Sequence, residues 1–397
     1  GLQISSTGST AVSECSFSGC HRACALSHDA GTVFSGCTFE DNESALCTSG
    51  SSAPSAVDCS FVRHSASAVV ASGMSQVMLE KCHWDSNVGR DVVVVTGGVV
   101  MRQCSVAENV GVAVTVGPTA TFEAEDCGFR AIKQCLAGTG SAQVTVKNTS
   151  FVDCDTGLAL GDTTRCCATH CTFERCREAV SQTGEARLQA EETAFKECVG
   201  ALRCVGKVQA ELRGCTIQCK IAAVQVSGEA SLSVEDTEFG GGRYGVQLAG
   251  SCGGILQRCT MQSVEFALVV TDSASVWASS CRVLESGRFA VDAQTSKEAV
   301  LKGCEIRGAA GGGLRWGLAG EVSVIGCTFS EHTKSAAITM DGAHGDVTEC
   351  HFKENGVAIR VVGSVDVSLV GNTAEGDDGL VFGSFGAARV TDAGLKH

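Results

Sequence analysis

Proline is nearly missing from this sequence, with 2 residues in 397. Tyrosine occurs once and tryptophan 3 times. Each shortage excludes something. So few strand breakers suit short, closely stacked strands. One Tyr and three Trp give little material for the aromatic platforms of sugar-binding surfaces. Trp84 fills a core slot described below, and Tyr244, Trp277 and Trp316 stand alone in the sequence. No apolar run approaches the roughly 20 residues of a membrane-spanning helix. The longest patch, around Asp91 to Met101, is broken at Thr96-Gly97-Gly98. An excess of basic residues is missing too. Lys and Arg total 30 against 44 Asp and Glu, a net charge of −14. That argues against a nucleic-acid partner, disfavours an anionic membrane surface and supplies no attraction for acidic polysaccharides.

What is abundant is Gly (48) and Cys (25), and both are periodic. Cys-x-Phe appears as Cys37-Thr38-Phe39, Cys59-Ser60-Phe61, Cys171-Thr172-Phe173 and Cys327-Thr328-Phe329. From Cys15 the same slot recurs at 37, 59, 82, 104, 127, 149, 171, 193, 215, 237, 259, 281, 304, 327, 350 and 372, always 22 or 23 residues on. The slot holds Cys except at Thr149, Thr193, Thr237 and Asn372. Two residues later stands a large apolar side chain, among them Phe17, Trp84, Phe129, Phe151, Phe195, Phe239 and Phe352. An unbroken period of this length signals a solenoid and overrides the length-based expectation of two or more domains.

The coil from Cys215 to Asp236 shows the template. Apolar and polar residues alternate at Cys215/Thr216/Ile217, at Val224/Gln225/Val226 and from Glu229 through Val234. Alternation puts one face in and one out, so each coil reads as three short strands with corners between them. A Gly closes the second strand at 73, 117, 161, 184, 206, 228, 250 and 363, where a positive φ or a close backbone approach is expected. A second corner, three residues past the aromatic slot, carries Asn42, His64, Asn87, Asn109 and Asn355, and in the middle coils Cys154, Cys176 and Cys198. An inward Asn can bond backbone groups at such a turn. Leu2 and Ile4 point inward at the start, and the final coil, with Asp377-Asp378, drifts from the template. The chain reads as one continuous domain over 1–397, a piece of a larger protein or complex.

This pattern resembles the right-handed parallel β-helix repeat of the pectate-lyase-like superfamily, which includes pectate lyases, polygalacturonases and non-enzymatic repeat domains. The resemblance covers essentially the whole chain. It implies an all-β fold, a single solenoid of about 17 coils, and leaves function open, because fold does not carry function. In the enzymes of this fold the site lies on an outer sheet face walled by long loops. Here a coil of constant length leaves no room for such walls. The polygalacturonase-like paired Asp, Gly-His-Gly and Arg-Ile-Lys are absent; Asp377-Asp378 and Arg130-Ala131-Ile132-Lys133 do not match them.

Candidate chemistry is confined to one outward row. The slot before the Cys reads Asp126, Asn148, His170 and Glu192 on consecutive coils, flanked by Arg130, Glu174 and Lys196. Acid, imidazole and base on one face could abstract a proton or hold a cation, with Asp126, His170, Glu192 and Lys196 as the catalytic set. A solvated face of mixed charge is the competing reading. Cys166, Cys167, Cys171 and Cys176 lack a Cys-x-x-Cys spacing, and zinc needs four converging ligands, so no metal and no cofactor is expected. Cys15 and Cys20, or Cys171 and Cys176, could meet across a corner. The Thr row at 38, 172, 216, 260, 328 and 373 is interrupted by His83, Glu238, Arg282, Glu305 and His351, which breaks an ice-binding face. Of the two Asn-x-Ser sequons, Asn42 is expected to point inward and Asn148 is outward.

The expectation is therefore a non-catalytic scaffold or protein-interaction β-helix with a protein partner, no nucleic acid and no membrane insertion; carbohydrate is the weaker option. The alternative is a polysaccharide lyase or hydrolase using the outer face of the middle coils. Thiols in an inward ladder need no bonding partner, and their number favours an intracellular, reducing compartment, with an extracellular one as the alternative.

Overall fold

The alternation read from the sequence becomes three strands per coil, as in Thr172–Glu174, Glu178–Gly184 and Arg187–Glu191. These are called here the Cys strand, the second strand and the third strand. The computed structural model describes residues 1–5, 7–318, 320–342, 344–382 and 388–392, the last segment and 380–382 by backbone only. Among the described residues every element is a strand, so no helix is long and apolar enough to cross a membrane. The chain is an all-β, right-handed parallel β-helix. Two compact units divide it, Gly1–Cys198 and Val199–His397, and each is built the same way.

Within the first unit strands pair in parallel with their copies one coil on. Phe129 lies opposite Phe151, and Phe151 opposite Phe173. In-phase pairing turns sequence slots into ladders. Ring centroids are 5.1 Å apart for Phe129–Phe151, 4.6 Å for Phe151–Phe173 and 5.1 Å for Phe173–Phe195, with interplanar angles of 5–6°. Phe39, Phe61 and Trp84 form a similar stack, which Val106 interrupts. The second unit repeats the arrangement with Ile217, Phe239, Met261, Val283, Ile306, Phe329 and Phe352, all buried.

The inward Cys side chains reach backbone carbonyls down the stack. Cys104 Sγ donates to the Leu79 carbonyl at 3.3 Å, and Cys350 Sγ to Val324 at 3.5 Å. Burial pushes the Cys24 and Cys204 thiols up to about 12 and Cys171 to about 11. The interchange of Cys with Thr or Asn has a direct cause. Each residue in this slot can accept the amide of the slot one coil earlier: Thr149 Oγ1 accepts Cys127 N at 3.3 Å and Asn372 Oδ1 accepts Cys350 N at 2.9 Å. All 25 cysteines are free, including Cys15, Cys20, Cys171 and Cys176.

The Asn corner works in the same direction. Asn87 Oδ1 accepts the His64 amide at 2.9 Å while Nδ2 donates to the Phe61 carbonyl at 3.1 Å. Asn42 and Asn355 repeat both bonds on their own preceding coils. Where the slot holds Cys176, its thiol donates to the Phe151 carbonyl at 3.5 Å and replaces half of the pattern. Asp377 also proves to occupy this slot, accepting the Asn355 amide, rather than belonging to an acidic pair.

Three expectations change. The glycine corners are left-handed at Gly73, Gly184, Gly206, Gly228, Gly250 and Gly363; Gly117 is not, but a Cβ there would come 3.3 Å from the Val95 carbonyl, and Gly161 shows neither feature. At Gly184 a Cβ would come 2.9 Å from the Asp162 carbonyl, so both φ and space exclude a side chain. Coil length is not constant on every strand: Leu46, Val69, Val93 and Val114 share one register row at steps of 23, 24 and 21 residues. The corner after the Asn slot holds the extra residues, and the corner before the third strand gives them back, with Val93 to Val99 shorter than Val69 to Val77. Finally, the coil that looked most regular merges its first two strands into Thr216–Gly228, with no left-handed residue between them. Cys219 stands where other coils place a left-handed residue.

Candidate functional site

The outward row of the first unit begins with backbone geometry. Asp126, Asn148, His170 and Glu192 all have positive φ, between 46° and 55°. They form the left-handed residue of the corner that delivers the chain into the Cys strand. A second left-handed corner lies four residues past the Cys slot, at Asp41, Arg63, Asp153 and Arg175 among others. Sequence reading located the second corner by its inward Asn but not the left-handed residue before it, and missed the corner before the Cys strand, because non-Gly residues fill most of these positions. The available signal was a modest enrichment in Asp, Asn and Gly, as at Gly36, Asp58, Asp126, Asn148, Asp236 and Gly303.

Because equivalent corners stack one coil apart, charges placed on them meet. Arg175 grips Asp153 with two bonds, Nε–Oδ1 at 2.6 Å and Nη2–Oδ2 at 3.0 Å, and also reaches Glu174. Arg63 on Asp41 and, in the second unit, Arg258 on Asp236 repeat the fork. In each case the guanidinium hydrogen bonds hold the Asp carboxyl below the usual carboxylate range. These pairs are exposed and screened, so they set the phase of the corners more than they stabilise the fold.

The four catalytic candidates do not converge on one point. His170 Nδ1 lies 3.1 Å from Glu192 Oε2, with side chains 53% and 69% exposed. Lys196 sits on the following strand, in register with Glu174. Asp126 belongs to the corner two coils before His170, roughly 10 Å away at the strand spacing of parallel sheets. What the structure brings together is one imidazole and one carboxylate on an open corner. A general acid and base must both reach one reacting atom, at about 3 Å. Arg130 lies one coil from Glu174's neighbour Val152 and adds no third group to the pair.

The Cys166–Cys176 cluster is divided by the fold. Cys166 points into the core of the third strand, Cys167 outward, Cys171 into the Cys ladder and Cys176 into the Asn slot. No group of three or more His, Cys, Asp or Glu able to hold a metal occurs among the described residues. Asn42 is buried and engaged in capping, as its inward reading expected, so it is closed to glycosylation. Trp277, isolated in the sequence, is half exposed and borders a shallow groove in the second unit.

Among curated proteins, none matches this chain in sequence. Solved structures that it resembles include the PL6 family alginate lyase AlyGC, at 8% identity and a TM-score of 0.30, over 99% of this chain and 96% of that one. The A-module of the Azotobacter vinelandii mannuronan C-5 epimerase AlgE4 matches at 8% identity and a TM-score of 0.20, over 90% and 91% of the two chains. The catalytic unit of the GH87 alpha-1,3-glucanase from Streptomyces thermodiastaticus matches at 11% identity and 0.23, over 95% and 62%. Likeness at this level carries no argument about activity. The sequence itself is decisive on family: the model for the right handed beta helix region matches residues 1–151, 135–255 and 222–374, and the chain belongs to that family.

Proposed function

We propose that this chain is a non-catalytic β-helix that presents a protein-interaction surface within a larger assembly. One observation carries the reading. On the second strands of the first unit the outward row runs Ala25, Cys47, Val70, Val94, Thr115, Ala137, Ala159 and Ser181, in unbroken register. Every member is partly exposed, short and uncharged. The row carries no charge over eight consecutive coils. Interface cores are depleted of charge and packed closely, and a flat row suits a partner that contacts several coils at once. The net charge of −14 favours a basic partner around that row. The buried free thiols support an intracellular, reducing setting.

The test is native copurification with mass spectrometry, repeated on Ala137→Glu and Ala159→Glu variants. A partner captured in a salt-sensitive way by the wild type and lost from both variants supports the reading. Undiminished capture by both variants removes the row from the interface.

A second reading, glycan cleavage at the same unit, is favoured by the His170–Glu192 contact. It is tested by a depolymerisation screen on pectin, alginate and related polymers, with and without Ca²⁺. Turnover that disappears in His170→Ala or Glu192→Ala replaces the scaffold reading.

A further inference from the structure

The second unit carries a surface feature that the interaction row does not explain. On its third strands the outward row reads Ser233, Ile255, Trp277, Val300 and Ser323 in continuous register. Ile255 and Trp277 are each 48% exposed, while Val300 next to Trp277 in the row is buried. They border a groove of about 420 Å³ whose edges include Gly253, Ser275, Gln257 and Glu298. Its volume falls within the roughly 300–1,000 Å³ of small-ligand sites.

The depression at Gly253 is not imposed by packing. A Cβ there would meet only the Ser275 hydroxyl, at 3.6 Å, an ordinary contact, and the residue lacks a positive φ. The adjacent Gly254 is different: a Cβ would lie 2.6 Å from the Leu248 side chain, which would have to move to admit it. An open Gly beside an exposed indole leaves room alongside the ring. The other two tryptophans, Trp84 and Trp316, are fully buried.

The chemistry of the lining selects a ligand. An indole and an Ile side chain offer an apolar strip, while a hydroxyl, an amide and a carboxylate offer donors and acceptors at its margins. A pyranose matches this arrangement, since it presents an apolar C–H face bordered by hydroxyls. The single charged edge group, Glu298, repels anions, as does a net charge of −14. We propose that this groove binds a neutral, hydroxyl-rich glycan, with one sugar ring stacked on Trp277 and its hydroxyls bonded by Gln257, Ser275 and Glu298. Uronate polymers are disfavoured. The proposal goes beyond the interaction reading and stands whether or not the row in the first unit binds a protein.

The full chain supplies its own reporter, because Trp277 is the exposed indole of the three. Titration with neutral gluco- and manno-oligosaccharides should give a saturable change in tryptophan emission in the millimolar range or below. Oligogalacturonate and oligoalginate should give none. Calorimetry on Trp277→Ala and on Gly253→Thr, a substitution that fills the groove with a good strand former, should show binding weakened about tenfold or more. Their circular dichroism should match the wild type. Silence toward every neutral oligosaccharide, an equal response to uronates, or undiminished binding by Gly253→Thr would each overturn the assignment.

Discussion

His332 Nδ1 accepts the amide of Ala309, one coil earlier, at 3.1 Å, and Nε2 faces the Ile306 carbonyl at 3.2 Å. Those are the two bonds that Asn87 makes to its own preceding coil, so a neutral imidazole here stands in for a carboxamide. His64 fills the same slot in the first unit.

Burial pushes both imidazoles below the ordinary His range. Above about pH 6.5, His is neutral in folded and unfolded chains alike and costs nothing. As pH falls below that value the unfolded chain binds protons that the folded chain does not, so stability is lost on acidification. Urea midpoints measured at about pH 7.5 and about pH 5 should therefore diverge. The divergence should shrink in the His64→Asn, His332→Asn double variant. An unchanged pH dependence in that variant would place the acid sensitivity elsewhere.

Removal of the Asn87 carboxamide takes the acceptor from the buried His64 N–H and one donor from the Phe61 C=O. An unsatisfied buried group costs about 1–3 kcal/mol. Asn87→Ala should thus lower stability more than Asn87→Cys, because a thiol in this slot still reaches the aromatic-slot carbonyl, as Cys176 does. Denaturant unfolding of the two variants side by side reads the difference.

Phe173 sits between Phe151 and Phe195, with centroids 4.6 and 5.1 Å away, and is fully buried. Its truncation opens a cavity between two rings that the parallel strands hold apart. Phe173→Ala should cost about 3–5 kcal/mol and Phe173→Leu markedly less. Equal losses in the two variants would mean that ring stacking, not volume, dominates.

Thiol accessibility gives a staged prediction. In the native protein a disulfide exchange reagent should label Cys15, Cys20, Cys47 and Cys167 first, since these alone are not buried. Denaturation without reductant should then release most of the 25 cysteines. Neighbouring ladder residues have Cα atoms about 4.8 Å apart, close enough to bridge, so proximity does not preclude disulfides. A count near one thiol would overturn both the free ladder and the reducing setting.

The spacing of 22 or 23 residues between Cys slots sufficed to establish the fold class, the inward rows and the capping Asn. Those features follow from alternation and period, which are local properties repeated until chance is excluded. The candidate row was legible only as a list of residue types. That His170 meets Glu192 while Asp126 and Lys196 stay apart depends on the angle of a left-handed corner, which Asp, Asn, His and Glu all adopt. Trp277 could not be distinguished from Trp84 or Trp316 by composition. Trp84 falls on the inward phase of its strand and Trp277 on the outward phase, with an open glycine alongside. The inward phase is dictated by water exclusion, which the sequence records. On the outer wall, water tolerates almost any side chain, so only the stacked backbone decided which of them became neighbours.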